Sequence, residues 1–277
     1  MRQLQIEVSG LEPGARLLAP AGMCSPEDAV SATTVTGGDI VTVALEPELG
    51  LTALWIEAAS ETVTLTHTIA PAPKDQDYPE AVYTPRISRY TVAADDLAEA
   101  SRTIAAKAGG GHAGIDALVA EAEARFTYDH PEARFNDGAD AVPYLSCGTT
   151  PGSCVDINTY LVASLRAAGY AAGYVYGYFF PAEKGGVTHD MHCWVATRHD
   201  GEMLDWDIAH HMKAGLGPTK PGLNPRPGWR VALGHSMGHS YDMGDTMARL
   251  KLLAEPMQMG PGGTWRKLPI IARLPAT

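Results

Sequence analysis

The chain of 277 residues reads as an α+β protein, with a small β-sandwich domain first and a helix-then-strand domain after it. Three observations predict this. Leu4-Gln-Ile-Glu-Val8 and Glu61-Thr-Val-Thr-Leu-Thr-His-Thr-Ile69 alternate apolar and polar residues, the period of a half-buried strand. Asp95 to Lys107, and then His112 to Phe126, space their apolar residues by three and four, the period of a helix. Tyr174 to Phe180, Cys193 to Thr197 and Met203 to Ile208 are apolar runs of strand length, the last two joined at the hairpin dipeptide Asp200-Gly201.

Taken in order, residues 1–75 form the sandwich. Asp39 to Leu45 adds a partly alternating strand, and Glu12-Pro-Gly14 and Gly37-Gly38 mark turns. Residues 76–94 are a linker, set off by the Pro-, Lys-, Asp- and Tyr-rich stretch that opens at Pro71. Residues 95–277 are the second domain. In it Gly109-Gly-Gly111 stops the first helix, and Ile115, Leu118, Val119 and Ala122 share one face of the next. Residues 129–153 read as a long irregular loop, a common place for function. The tail from Gly215 is rich in Pro and Gly.

Hydrophobic residues make up 45% of the chain, enough for a sizeable core. The net charge is −11 and Lys and Arg form no dense cluster, which argues against nucleic acid as a partner. Met-Arg-Gln-Leu-Gln-Ile-Glu-Val lacks the apolar stretch of a secretory leader, and no run approaches the length of a membrane span. The expectation is a cytoplasmic protein with reduced cysteines, no membrane partner and no cofactor. A local pair between Cys147 and Cys154 stays open.

Chemistry concentrates at Cys154. Pro151-Gly-Ser-Cys is a turn that runs straight into a helix pattern, with Ile157, Tyr160, Leu161, Ser164 and Leu165 at helical spacing and Gly169 as its stop. A thiol at a helix start sees the positive end of the helix dipole, which favours the thiolate. His192 opens the later apolar strand and offers a base. Asp205 and Asp207 flank Trp206, and a strand would place both on one face, opposite Leu204, Trp206 and Ile208. One carboxylate suffices to orient an imidazole.

The alternatives for these residues are a buried structural thiol and a satisfied core histidine. A zinc site built from Cys147, Cys154, His189, His192 and Cys193 competes, but the spacings do not suit it. His210 and His211 follow the second strand and could line the same cleft. His235-Ser-Met-Gly-His-Ser-Tyr-Asp242 reads either as a polar loop or as a wall near the thiol.

Together these residues resemble the transglutaminase-like superfamily of bacterial cysteine enzymes. The resemblance rests on Gly152-Ser-Cys-Val-Asp156, Leu165-Arg-Ala-Ala-Gly169, Gly173-Tyr-Val-Tyr-Gly-Tyr178, His192-Cys-Trp-Val195 and Asp207-Ile-Ala209, in that order. It covers residues 95–211. The family pattern departs from this chain at Ala172, where it has Arg, and at Ile208-Ala209, where it has Pro-Thr.

The resemblance implies a papain-like core, a Cys helix packed on an antiparallel sheet. It implies Cys154 as nucleophile and His192 as base, and selects Asp207 over Asp205 as the orienting carboxylate. The implied activity is acyl transfer from a peptide or protein amide through a thioester, with hydrolysis slightly favoured over transamidation. A non-catalytic binding module on the same fold and a zinc-binding domain are the alternatives. Residues 181–190 and the tail from Gly215 are expected to wall the cleft over Cys154.

Overall fold

The computed structural model describes all residues except 223, 245, 276 and 277. The chain divides into two compact units. One comprises Met1–Ala81, Tyr176–His192 and Pro227–Thr277, the other Val82–Val175 and Cys193–Arg226.

In chain order the first strands are β1 (Arg2–Ser9), β2 (Arg16–Pro20), β3 (Asp28–Thr36), β4 (Gly38–Glu46), β5 (Leu51–Ala58) and β6 (Thr62–Pro71). Helices α1 (Glu80–Tyr83), α2 (Asp95–Lys107) and α3 (Gly111–Arg125) follow, then β7 (Phe126–Tyr128), β8 (Thr150–Gly152) and α4 (Cys154–Ala167). Next come β9 (Ala171–Pro181), β10 (Val187–Thr188), β11 (His192–His199), β12 (Glu202–Trp206) and α5 (Ile208–Lys213). The last strands are β13 (Gly228–His235), β14 (His239–Asp242), β15 (Met247–Leu250), β16 (Met257–Met259), β17 (Trp265–Lys267) and β18 (Ile270–Arg273).

The first unit holds two five-stranded sheets, in the orders β10-β18-β1-β6-β3 and β17-β16-β2-β5-β4. Strict alternation in β1 and β6 produces the core of the first sheet. Leu4, Ile6 and Val8 are buried and lie opposite His67, Leu65 and Val63. Leu17, Ala19, Leu54 and Ile56 from the second sheet join the same apolar cluster, as do Ile270 and Ala272 from β18. Each fully buried Leu or Ile contributes roughly 1.5–3 kcal/mol.

The sandwich is therefore not made by residues 1–75 alone. The tail, which the sequence groups with the second domain, supplies β18 against β1 and β16 against β2. Residues 181–190 are also fastened: Val187 and Thr188 of β10 pair with Arg273 and Ala272, and the Leu274 N–H donates to the Gly186 carbonyl at 2.8 Å. Gly186 has a left-handed φ of 78° that suits glycine.

In the second unit α2, α3 and α4 pack on one another, as their apolar spacing predicts. The loop 129–153 ends in β8, which pairs in parallel with β7. Arg166, near the end of α4, is largely buried. Its Nε donates to the Ala172 carbonyl at 2.8 Å and its Nη2 to the Val82 carbonyl at 3.1 Å. Burial pushes its pKa down to about 10. Ala172 is fully buried, so the departure from Arg there fits the space available. After α4, Gly169 takes φ +89° and stops the helix as expected.

Strands β12, β11, β9 and β13 form a four-stranded sheet in that order. β11 and β12 are antiparallel around Asp200-Gly201, with Val195 opposite Trp206. The expected strand from Met203 to Ile208 is shorter than predicted. β12 ends at Trp206 and Ile208 already begins α5. Asp207 leaves the strand at φ −124°, ψ 71° because its side chain caps the helix instead.

Candidate active site

Cys154 is the first residue of α4, as the turn-then-helix pattern predicts, and is 5% exposed. The helix start is fixed by a reciprocal cap. Asp156 Oδ2 accepts the Ser153 N–H at 2.8 Å and the Ser153 hydroxyl at 2.7 Å. Arg134, from the loop 129–153, donates to the same oxygen at 2.6 Å and to Ser153 Oγ at 2.9 Å. The buried Asp156 charge is thereby matched, and the dipole of α4 remains available to the neighbouring sulfur.

His192 is buried and opens β11. The division between the two units falls on the peptide bond that joins it to Cys193. The next side chain, Cys193, is fully buried. Its thiol neighbours the Cys154 thiol and accepts the Asn158 Nδ2–H at 3.3 Å. Burial pushes the Cys193 thiol well above its ordinary range, and the neighbouring Cys154 thiol adds to this. Burial likewise raises the Tyr174 hydroxyl, with Cys193 and Cys154 as further causes.

Asp207, fully buried, is the N-cap of α5. Its Oδ1 accepts the His210 N–H at 3.1 Å, and its Oδ2 lies 2.9 Å from His210 Nδ1. Ligand atoms of His192, Asp207 and His210 all lie within 4.8 Å of one another. Asp205 stands on β12 opposite Ala196 and is not in that group.

Sequence reasoning missed Asn158 and Tyr174 beside the sulfurs, and Arg134 beside the cap. Asn158 was within reach, since it lies four residues after Cys154 and so shares its helix face. His210 and His211 separate in role. His210 meets the Asp207 carboxylate, whereas His211 Nδ1 is spent on the Asp207 carbonyl at 2.9 Å.

His192, Asp207 and His210 could also hold a metal ion. Of the five residues weighed as zinc ligands, His192 alone enters such a group among the described residues. His189 instead contacts the Ile270 carbonyl at 3.2 Å.

The segment His235 to Asp242 is not a polar loop but the link between β13 and β14. The buried His239 holds it, with Nε2 3.1 Å from the His235 carbonyl and Nδ1 3.1 Å from the Tyr241 hydroxyl.

Residues 98–206 match the model of the transglutaminase-like superfamily. No curated protein matches the sequence.

Among solved structures, a candidate cysteine protease from Cytophaga hutchinsonii is similar with a TM-score of 0.57 at 12% identity, over 99% of this chain and 96% of that one. The periplasmic domain of TgpA from Pseudomonas aeruginosa is similar with a TM-score of 0.39 at 15% identity, over 77% of this chain and 89% of that one. At 12% identity the likeness to the first of these concerns the fold alone. Among the described residues, no helix is long and apolar enough to cross a membrane.

Proposed function

We propose that the protein is a cysteine-dependent acyl-transfer enzyme acting on peptide or protein amides. The observation that carries the reading is the placement of Cys154 at the head of α4, with its thiol near Cys193, the residue that follows His192. The transglutaminase-like match supports it.

His192 takes the Cys154 proton, and the thiolate attacks the amide carbonyl. The oxygen becomes an oxyanion. The backbone N–H of Cys154 precedes the first intrahelical acceptor and is directed to donate to it. The C–N bond then breaks, His192 returns the proton to the leaving amine, and a thioester remains. Water completes hydrolysis and an amine completes transamidation. Water needs no acceptor site, which favours hydrolysis. Asp207 orients His192 and balances its charge during the cycle.

The test is competitive iodoacetamide labelling at neutral pH with peptide mapping, alongside turnover of peptide amides. Cys24 and Cys147 are exposed whereas Cys154 and Cys193 are buried, so access alone ranks Cys24 and Cys147 first. Faster labelling of Cys154, and loss of turnover in Cys154→Ala, support the proposal. Equal labelling of all accessible cysteines, or turnover that survives Cys154→Ala, would sink it. Turnover that disappears with a chelator and returns with zinc would favour a metal at His192, Asp207 and His210 instead.

A further inference from the structure

The acyl-transfer cycle has no use for Cys193, yet this thiol is buried near the nucleophile. Its surroundings are unusual for a core cysteine, which ordinarily packs as a small apolar group. Asn158, one turn along α4 from Cys154, donates to the Cys193 sulfur at 3.3 Å. The Tyr174 hydroxyl, from β9, lies near it. The sulfur is therefore held beside α4, one turn from Cys154 and near its thiol. Both cysteines belong to the same compact unit, so their proximity is internal to it.

We propose that Cys154 and Cys193 form a dithiol site modified by hydroperoxides, in which Cys154 is oxidised first and Cys193 closes a disulfide onto it. The Cys154 thiolate attacks one oxygen of the peroxide. The O–O bond breaks, the alkoxide or hydroxide leaves and takes up a proton, and Cys154 becomes a sulfenic acid. The Cys193 sulfur then attacks the Cys154 sulfur. The S–O bond breaks and hydroxide leaves as water with the Cys193 proton. The sum is two thiols and one hydroperoxide giving one disulfide, one alcohol or water, and one water. A dithiol reductant reverses it by exchange.

The consequence is protection. A sulfenic acid with no partner proceeds to sulfinic acid, which thiols do not reduce. A resolving thiol already nearby captures the sulfenic acid first. That the disulfide silences the enzyme rests on the proposed function above, whereas formation of the disulfide does not.

The experiment treats the full-length protein with hydrogen peroxide, blocks free thiols with iodoacetamide and maps peptides without reduction. The expected result is a Cys154–Cys193 linkage that dithiothreitol reopens, restoring thiol-probe labelling of Cys154. In Cys193→Ala and Cys193→Ser, Cys154 should pass to sulfinic acid, with roughly tenfold less labelling recovered by dithiothreitol. The serine variant preserves size should alanine leave a cavity that perturbs folding.

Linkage of Cys154 to Cys147, or sulfinic Cys154 beside reduced Cys193 in the unaltered protein, would overturn the inference. So would equal recovery with and without Cys193. A linkage that forms in a protein with no amide turnover retires the proposed function and leaves the dithiol standing. Turnover without the linkage does the reverse.

Discussion

The carboxylate of Asp207 meets His210 twice, through the backbone N–H at 3.1 Å and at the ring Nδ1 at 2.9 Å. The same Nδ1 lies 2.7 Å from Asn224 Nδ2, and the Asn224 oxygen is pinned by the Arg226 N–H at 2.8 Å. One ring nitrogen cannot serve both neighbours. Protonated, Nδ1 donates to Asp207; unprotonated, it accepts from Asn224. Asp207 is thus held by the first turn of α5 whichever form His210 takes.

In the proposed cycle Asp207 has two separable roles, cap and counter-charge. Asp207→Asn keeps a good N-cap but removes the charge that balances His192, so folding should change little and turnover should fall roughly 10- to 1,000-fold. Asp207→Ala should lose a further ~1 kcal/mol of stability with the cap. Asp205→Asn should cost much less turnover than Asp207→Asn. Steady-state rates on a peptide amide, with urea unfolding of each variant, decide between these outcomes. A larger loss at Asp205 refutes the assignment.

Arg134 neutralises Asp156 at the head of α4. With Arg134→Gln, an anion 1% exposed loses its strongest partner and stands beside the Cys154 sulfur. Arg134 is itself about a third exposed, so the stability loss should be about 1–3 kcal/mol, short of a fully buried pair. The uncompensated carboxylate also opposes the thiolate. Alkylation of Cys154 at neutral pH should slow several-fold, while Cys24 is unchanged. Labelling rates read against denaturant curves separate the two effects.

His67 makes the sandwich sensitive to acid. It occupies an apolar-face position of β6 opposite Leu4, fully buried, with Nδ1 2.8 Å from the Thr33 hydroxyl oxygen. The Thr33 hydroxyl donates to the Ala21 carbonyl at 3.2 Å, so it is left to accept from an Nδ1–H. Nε2 then carries a bare lone pair in the core, and its protonation is resisted. Burial pushes the pKa from 6.5 down to about 4.

Because the folded pKa is the lower one, the unfolded chain binds this proton first. Stability is retained above pH 6.5 and falls as the pH drops toward 4, by about 1.4 kcal/mol per unit at most. His67→Gln should flatten the difference in unfolding free energy between pH 7 and pH 4.5. An unaltered difference contradicts the assignment.

Gly173 precedes Tyr174 in β9. A Cβ there would run into the Val82 backbone carbonyl and side chain, which cannot yield as a flexible side-chain tip can. Gly173→Ala should therefore cost roughly 1–3 kcal/mol, the penalty of overpacking. Gly201→Ala meets no neighbour within 4 Å and bears only the strain of its φ of +80°. Thermal unfolding of the two variants should rank Gly173→Ala as the more damaging.

Much of this molecule is determined locally. The alternation of Leu4, Ile6 and Val8 dictates which face of β1 is buried. The Ser-Cys-Val-Asp stretch dictates where α4 begins, because Ser153 and Asp156 close the cap within one turn. Hence Cys154 and His192 were legible as candidates before any fold was known.

What only the tertiary structure decided is partnership. Period-two alternation marks a strand's buried face but not its neighbour, so nothing in residues 257–273 announces that they complete the sandwich against β1 and β2. Asp207 read as a strand residue until α5 drew its carboxylate into a cap, a choice between two local bonding schemes that the neighbouring His192 and His210 accompany. Cys193 read as a strand residue and a weighed zinc ligand until the fold set it beside Asn158 and near Cys154. Such contacts join residues distant in sequence, and their loop-closure entropy is offset by burial summed over the whole core rather than by any local pattern.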